Sequence, residues 1–146
     1  MQQPVSIVVR AATLDEIFAL RHAVLRTGLP ITTARFEQDH DRSTYHFGAF
    51  DGRLIVGCLS FLQLPVEGQA AYQLRGMATM PHRRCAGIGS RLLEYAESVL
   101  DGHLLWCNAR VESHDFYLKH GWRIVSDPFE MEGIGFHYRM LKEKGN

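Results

Sequence analysis

The sequence predicts an α/β domain in which helices flank a mixed sheet. Three observations lead there. Apolar segments of strand character alternate with segments of helical period, in the order β-α-β-β-β-α-β-α-β-β. The 146 residues are 46% hydrophobic and 22% charged, the composition of one ordinary globular domain spanning residues 1–146. No stretch rich in Pro, Gly or Ser divides the chain, and no internal repeat or low-complexity tract interrupts it.

Val5 to Arg10 reads as a short apolar strand. Thr13-Leu14-Asp15-Glu16 has capping-box spacing and predicts a helix running to about Arg26, ended by Gly28 and Pro30. Residues 31–43 are polar, and no period assigns them an element. Tyr45–Phe50 and Arg53–Phe61 read as a hairpin about Asp51-Gly52, a pair that suits a type I′ turn. Pro65–Gln69 connects it to a strand, Ala70–Thr79, closed by Met80-Pro81.

From Ile88 the apolar positions Ile88, Leu92, Leu93, Ala96, Val99 and Leu100 recur with helical period, while Arg91, Glu94 and Glu97 take the opposite face. His103–Asn108 is a strand, and Ser113–His120 is a short helix with Gly121 at its C′ position. Trp122–Val125 and Phe136–Leu141 are the last strands, with Trp106 and Trp122 as core residues.

Composition narrows the function. Lys plus Arg equals Asp plus Glu at 16 each, so there is no basic excess to mark a nucleic-acid partner. The opening MQQPVSIVVR holds no apolar run of signal-peptide or membrane-span length. The three cysteines, Cys58, Cys85 and Cys107, are odd in number and lack metal-ligand spacing. A reduced, cytoplasmic protein without a metal or a membrane partner is the expectation.

Gly87 and Gly89 stand where the most amphipathic helix begins, just after a strand. Opening amides of a helix and the positive end of its dipole suit a pyrophosphate, and Arg83 and Arg84 add charge. A ligand-free glycine turn fits the stretch equally well. There is no G-x-G-x-x-G after the first strand and no G-K-[ST] phosphate loop.

What stands there is Arg84-x-x-Gly87-x-Gly89, which resembles the acyl-coenzyme A loop of the GNAT superfamily of N-acetyltransferases. Phe116-Tyr117-x-x-x-Gly121-Trp122 resembles that family's F-Y-x-x-x-G-F, and the element order matches across nearly the whole chain. The resemblance implies a mostly antiparallel sheet with a splayed central strand, and acetyl-coenzyme A as co-substrate. It places the coenzyme on Arg84, Cys85, Ala86, Gly87, Ile88, Gly89 and Ser90, with the backbone of Met77, Ala78 and Thr79 along the pantetheine and Asn108 as a further contact. Tyr117 then faces the coenzyme sulfur.

YQLRGMAT (72–79), LWCNAR (105–110), LRH (20–22) and the late glycine-rich stretch leading to His137 and Met140 resemble the glyphosate N-acetyltransferase group within the superfamily. That resemblance implies Arg21, Arg75 and Arg110 as binders of the substrate's anionic groups, with His137 as the base. Where the group often has proline before this histidine, the chain has Phe136.

Each residue has a plainer reading. Arg75 shares one face of its strand with Gln73, Met77 and Thr79, and a buried arginine calls for an internal carboxylate. Gly76 beside it points to a bulge or a close backbone approach, which favours a strand opened at Arg75. Arg21 reads as a solvent-exposed helix residue, Arg110 as a partner of Glu112, Tyr117 as core, and Asn108 as a turn former. His82, His114 and His120 read as surface groups.

Acetyl transfer needs a neutral amine, and histidine exchanges a proton near neutral pH, so His137 suits the base. The N–H of Met77 suits the developing oxyanion, and Tyr117 suits the departing thiolate. No cysteine is placed as an acyl carrier, so direct attack is expected. Three arginines favour a small amine with two anionic groups, such as a phosphonate or dicarboxylate amino acid. A protein amine or an aminoglycoside would prefer an acidic cleft, and a coenzyme-binding sensor would need neither Tyr117 nor His137. A monomer or a homodimer is expected.

Overall fold

In the computed structural model, residues 6–84 and 87–143 are described. Strand β1 (Ile7–Ala11) and helix α1 (Leu14–Leu25) are followed by β2 (Tyr45–Asp51), β3 (Leu54–Gln63) and β4 (Tyr72–Thr79). Then come α2 (Ile88–Val99), β5 (Leu105–Arg110), α3 (His114–Lys119), β6 (Arg123–Ile124), β7 (Phe129–Met131) and β8 (Gly135–Lys142). Single 3-10 turns stand at Ile31–Ala34, Pro81–Arg83 and Val111–Ser113. The eight strands form one mixed sheet in the order β1-β2-β3-β4-β5-β8-β6, with β7 on β8. Pairing is parallel between β4 and β5, at Tyr72 and Gln73, and antiparallel at β1–β2, β2–β3 and along β8.

The chain divides into two compact units, Met1–Leu62 with Arg75–Val99 and Gln63–Leu74 with Leu100–Asn146. In the first, α1 starts as its spacing predicts. Thr13 Oγ1 accepts from the Glu16 N–H at 3.2 Å and Glu16 Oε1 accepts from the Thr13 N–H at 2.9 Å. Such a cap is worth about 1 kcal/mol. Ile17 and Leu20 of α1 pack with Cys58 of β3 and Ala78 of β4.

Helix α2 buries Ile88, Leu92, Leu93 and Ala96. It sits directly on the backbone of β3, because a Cβ at Gly57 would stand 2.8 Å from both Ile88 and Leu92 side chains. Val99 departs from the expected stripe and is exposed, while Leu100 is buried. Leu100 continues the fourfold series 88, 92, 96, so the helical period itself turns Val99 outward.

Two turns differ from expectation. The β2–β3 loop is Gly52-Arg53, with Asp51 paired to Leu54, and of its two residues only Gly52 has positive φ (60°). That is glycine in the first central position, the type II′ pattern, in place of type I′ about Asp51-Gly52. Two positive φ values in a row occur at Glu67 (49°) and Gly68 (76°), between the bridged Val66 and Gln69.

In the second unit, Val66, Ala71, Leu104, Trp106 and Leu141 form the core, and Trp106 Nε1 donates to the Leu64 carbonyl at 3.0 Å. Trp122 is also buried. β8 pairs with β5 from Leu105↔Lys142 to Arg110↔His137. Strand β7 has no counterpart in the sequence reading; three residues are too few to display a period of two.

Candidate active site

Helix α1 carries Arg21 into the first unit, where the side chain is wholly buried rather than solvent-exposed. Nη1 donates to the Ala34 carbonyl at 3.0 Å and to Asp39 Oδ2 at 2.8 Å, and Nη2 donates to Ser60 Oγ at 3.0 Å. His46 closes the set. Its Nε2 donates to the Asp39 carbonyl at 3.0 Å, which leaves Nδ1 to accept from the Ser60 hydroxyl at 2.6 Å. Burial, the largest influence, pushes the His46 imidazole below its usual range, so it serves this ring of bonds as the neutral form. Removing one partner of such a buried ion pair costs about 3–5 kcal/mol.

Arg75 on β4 lies beside this group and differs from Arg21. It is half-buried, and its guanidinium makes no hydrogen bond or ion pair with the described residues. Its Cζ stands 4.2 Å from the centre of the Phe36 ring, and Arg21 Cζ stands 4.0 Å from the same ring. Burial and the positive charges of Arg21 and Arg26 lower its pKa, while Asp39 opposes them. The plain reading of Arg75 required an internal carboxylate; the structure gives that carboxylate to Arg21.

Gly76 explains how the cluster fits. It has φ +66°, and a Cβ there would stand 2.9 Å from both Arg21 Nε and Phe36 Cε2. The close approach expected at Gly76 is to these two side chains.

Gly87, at the entry to α2, is open and left-handed. It has φ +75°, a conformation that L side chains rarely adopt, and nothing lies within 4 Å of where its Cβ would be. The α2 ladder opens with Arg91 N–H donating to the Gly87 carbonyl at 3.1 Å. Ile88 is buried and anchors the turn, Gly89 and Ser90 are half-buried, and Arg84 is exposed. Arg83 is committed to Asp51 at 2.9 Å. Cys85 and Ala86 lie outside the described residues. Met77, Ala78 and Thr79 form the end of β4, with Ala78 buried.

The second unit holds the other expected residues. His137 is 4% exposed on β8, opposite Arg110 in register. Its Nδ1 donates to the Gly135 carbonyl at 2.9 Å, and its ring stacks on Phe129 at 6.1 Å. A neutral ring bonded in this way keeps its lone pair on Nε2. Phe136, in the place of the group's proline, is exposed. Arg110 is exposed, and no ion pair to Glu112 exists among the described residues. Asn108 Oδ1 accepts from Arg139 Nε at 3.4 Å.

Tyr117 packs on Phe116 and Trp122 with ring centres 5.2 and 5.5 Å away. Burial pushes its phenol well above the usual range, so it keeps its proton. Burial also pushes the Cys58 thiol up to about 12 and raises that of Cys107, so neither supplies a thiolate. Among the described residues no group of His, Cys, Asp and Glu is arranged to hold a metal ion, and no helix is long and apolar enough to cross a membrane.

Asp39, Phe36, Ser60 and His46 were not singled out by the sequence. Residues 31–43 contain three acids, Glu37, Asp39 and Asp41, so a carboxylate for a buried arginine was available there. Without a period, nothing in the sequence selects among them.

A mixed sheet with these helices and a glycine turn leading into α2 is the architecture of an acetyltransferase domain. The sequence profile of the acetyltransferase (GNAT) family matches residues 13–122, and the chain belongs to that family. It is 36% identical over 140 residues to YitI, an uncharacterized N-acetyltransferase of Bacillus subtilis, covering 92% of this chain and 94% of that protein. Among solved structures, one described as histone acetyltransferase HPA2 and related acetyltransferase, from Corynebacterium glutamicum, superposes with TM-score 0.80 at 14% identity, covering 97% of this chain and 98% of that one. An aminoglycoside 6'-N-acetyltransferase complexed with coenzyme A gives TM-score 0.73 at 16% identity, covering 92% and 96%. These two likenesses show the fold. The chain is an acyltransferase, and the family uses acetyl-coenzyme A.

Proposed function

We propose that the chain transfers an acetyl group from acetyl-coenzyme A directly to the amine of a small anionic acceptor, as its resemblance to the glyphosate N-acetyltransferase group implies. One observation carries the choice of acceptor: Arg75 presents a half-buried guanidinium with no carboxylate partner among the described residues. Arginine in that state is a receptor for a carboxylate or phosphonate, not for a polycation.

The open space and backbone conformation at Gly87, with exposed Arg84 nearby, fit a pyrophosphate at the start of α2. Acetyl-coenzyme A, when bound, supplies an activated thioester. His137, with its Nδ1–H fixed on Gly135, takes the acceptor's ammonium proton at Nε2 and leaves the amine lone pair for attack. Tyr117 holds a proton at its hydroxyl for the leaving sulfur. Cys58 and Cys107 are buried and serve as no acyl carrier, in keeping with direct attack.

Thiol release from acetyl-coenzyme A, measured over matched anionic, neutral and cationic amines, tests the reading. Anionic amines are expected to react with the highest kcat/KM. Arg75→Ala is expected to raise their KM about tenfold to a hundredfold while leaving the KM for acetyl-coenzyme A near its original value, as loss of one charge-assisted contact implies. A preference for cationic amines, or an equal loss for every amine, overturns it.

A further inference from the structure

Arg21 already holds a carboxylate, and it belongs to this chain. Asp39 meets it at 2.8 Å, and both side chains are 1% exposed. Asp39 is itself fixed, since its Oδ2 also accepts from the Phe36 N–H at 2.8 Å. Asp39 Oδ1 and Arg21 Nε are buried without a partner among the described residues, so the pair is held in place by the fold at some cost in hydrogen bonding. Phe36, positioned by Asp39, carries both guanidiniums against its ring. Of the charges gathered here, Arg21 and Asp39 cancel, and Arg26 acts on Arg75 through space. His46 is neutral in its bonds to Ser60 and Asp39. Of the two guanidiniums on the Phe36 ring, Arg75 is the one without a carboxylate among the described residues.

Resting on the anionic-acceptor reading above, we propose that Asp39 sets the charge class of the acceptor: by neutralising Arg21 within the fold, it restricts this cluster to a single anionic group, read by Arg75. A second anionic group brought into the cluster finds Arg21 already neutralised, with no free guanidinium there to receive it. At this cluster the acceptor is therefore read as a monoanion, in contrast to the two anionic groups that Arg21 and Arg75 together would hold. Asp39 acts through Arg21 and Phe36 and is a specificity-determining residue, not a catalytic one.

The test compares acceptors that differ by one carboxylate, alanine and aspartate, with putrescine as a cationic control. The wild-type protein is expected to favour alanine in kcat/KM by about tenfold, the factor that about 1.4 kcal/mol of uncompensated carboxylate desolvation gives. Asp39→Asn keeps an oxygen for Arg21 and Phe36 but removes the charge, and it should shift the KM ratio about tenfold toward aspartate. A merely structural role for Asp39 would move both KM values together.

Because Asp39→Asn leaves a buried charge unpaired and can be lost to misfolding, Arg21→Gln/Asp39→Asn provides the second arm. With both charges gone, it should keep the wild-type ratio. Wild-type preference for aspartate overturns the proposal, as does an unchanged ratio in folded Asp39→Asn or a double variant that shifts toward aspartate. Acetylation of putrescine with neither amino acid accepted overturns instead the anionic-acceptor reading beneath it.

Discussion

Gly76→Ala tests whether the arginine cluster rests on one backbone conformation. At φ +66° an alanine takes a left-handed conformation that costs about 1–2 kcal/mol. Its Cβ would also stand 2.9 Å from Arg21 Nε and from Phe36 Cε2. Neither neighbour is a loose chain end, since Arg21 is bonded on both terminal nitrogens and is wholly buried. Crowding of that kind adds about 1–3 kcal/mol, for a total of about 2–5 kcal/mol. In a domain of this size that lowers Tm by roughly 5–15 °C.

Gly28→Ala isolates the backbone component, because Gly28 has φ +77° with nothing within 4 Å of its Cβ position. It should lose only the backbone cost of about 1–2 kcal/mol. Urea unfolding of both variants measures the difference. If Phe36 shifts to make room, Arg75 moves with it, and the KM for the acceptor rises in the folded fraction of Gly76→Ala. Equal destabilisation by the two substitutions refutes the crowding. A Gly76→Ala change of less than about 0.5 kcal/mol refutes the whole account of this position.

Gly87→Val should weaken acetyl-coenzyme A binding, because it sets a branched side chain into the open space before α2; calorimetry giving wild-type affinity in a folded variant removes the loop assignment. His137→Ala should cut turnover by about 10²–10⁴-fold, the scale of general-base loss. Near wild-type turnover in a folded variant removes His137 from the reaction. The Arg10 side chain, followed by the Thr13 backbone, lowers the Glu16 carboxyl from 4.5 to about 2. Its contribution to stability is therefore complete above pH 4.5 and is lost as pH falls toward 2, and Glu16→Gln should flatten denaturation midpoints over that window. Parallel acid profiles for the two proteins would assign the loss to other groups.

The sequence alone determined what depends on neighbours along the chain. Thr13 and Glu16 cap α1 because a capping box closes within one turn, and the stripe from Ile88 to Ala96 buries because helical period places those residues on one face. Gly121 ends α3 with φ +85°, again a local requirement. The order of strands and helices follows from the same short-range rules, which reach their limit at the three residues of β7 and at the exact register of Gly52-Arg53.

Of the candidate site, the sequence supplied the residue types, and tertiary structure decided their charge. Arg21 and Arg75 look alike in sequence, yet one is sealed against Asp39, 18 residues further along, and the other is left without a carboxylate. His137 likewise acquires its orientation from a carbonyl two residues back and a ring on another strand. A buried charge is decided by whichever partner the fold brings within hydrogen-bond distance, because desolvation makes an unpaired one costly and a paired one tolerable. That partner carries no periodic signal, so only the folded chain selects Asp39 from the acids of residues 31–43.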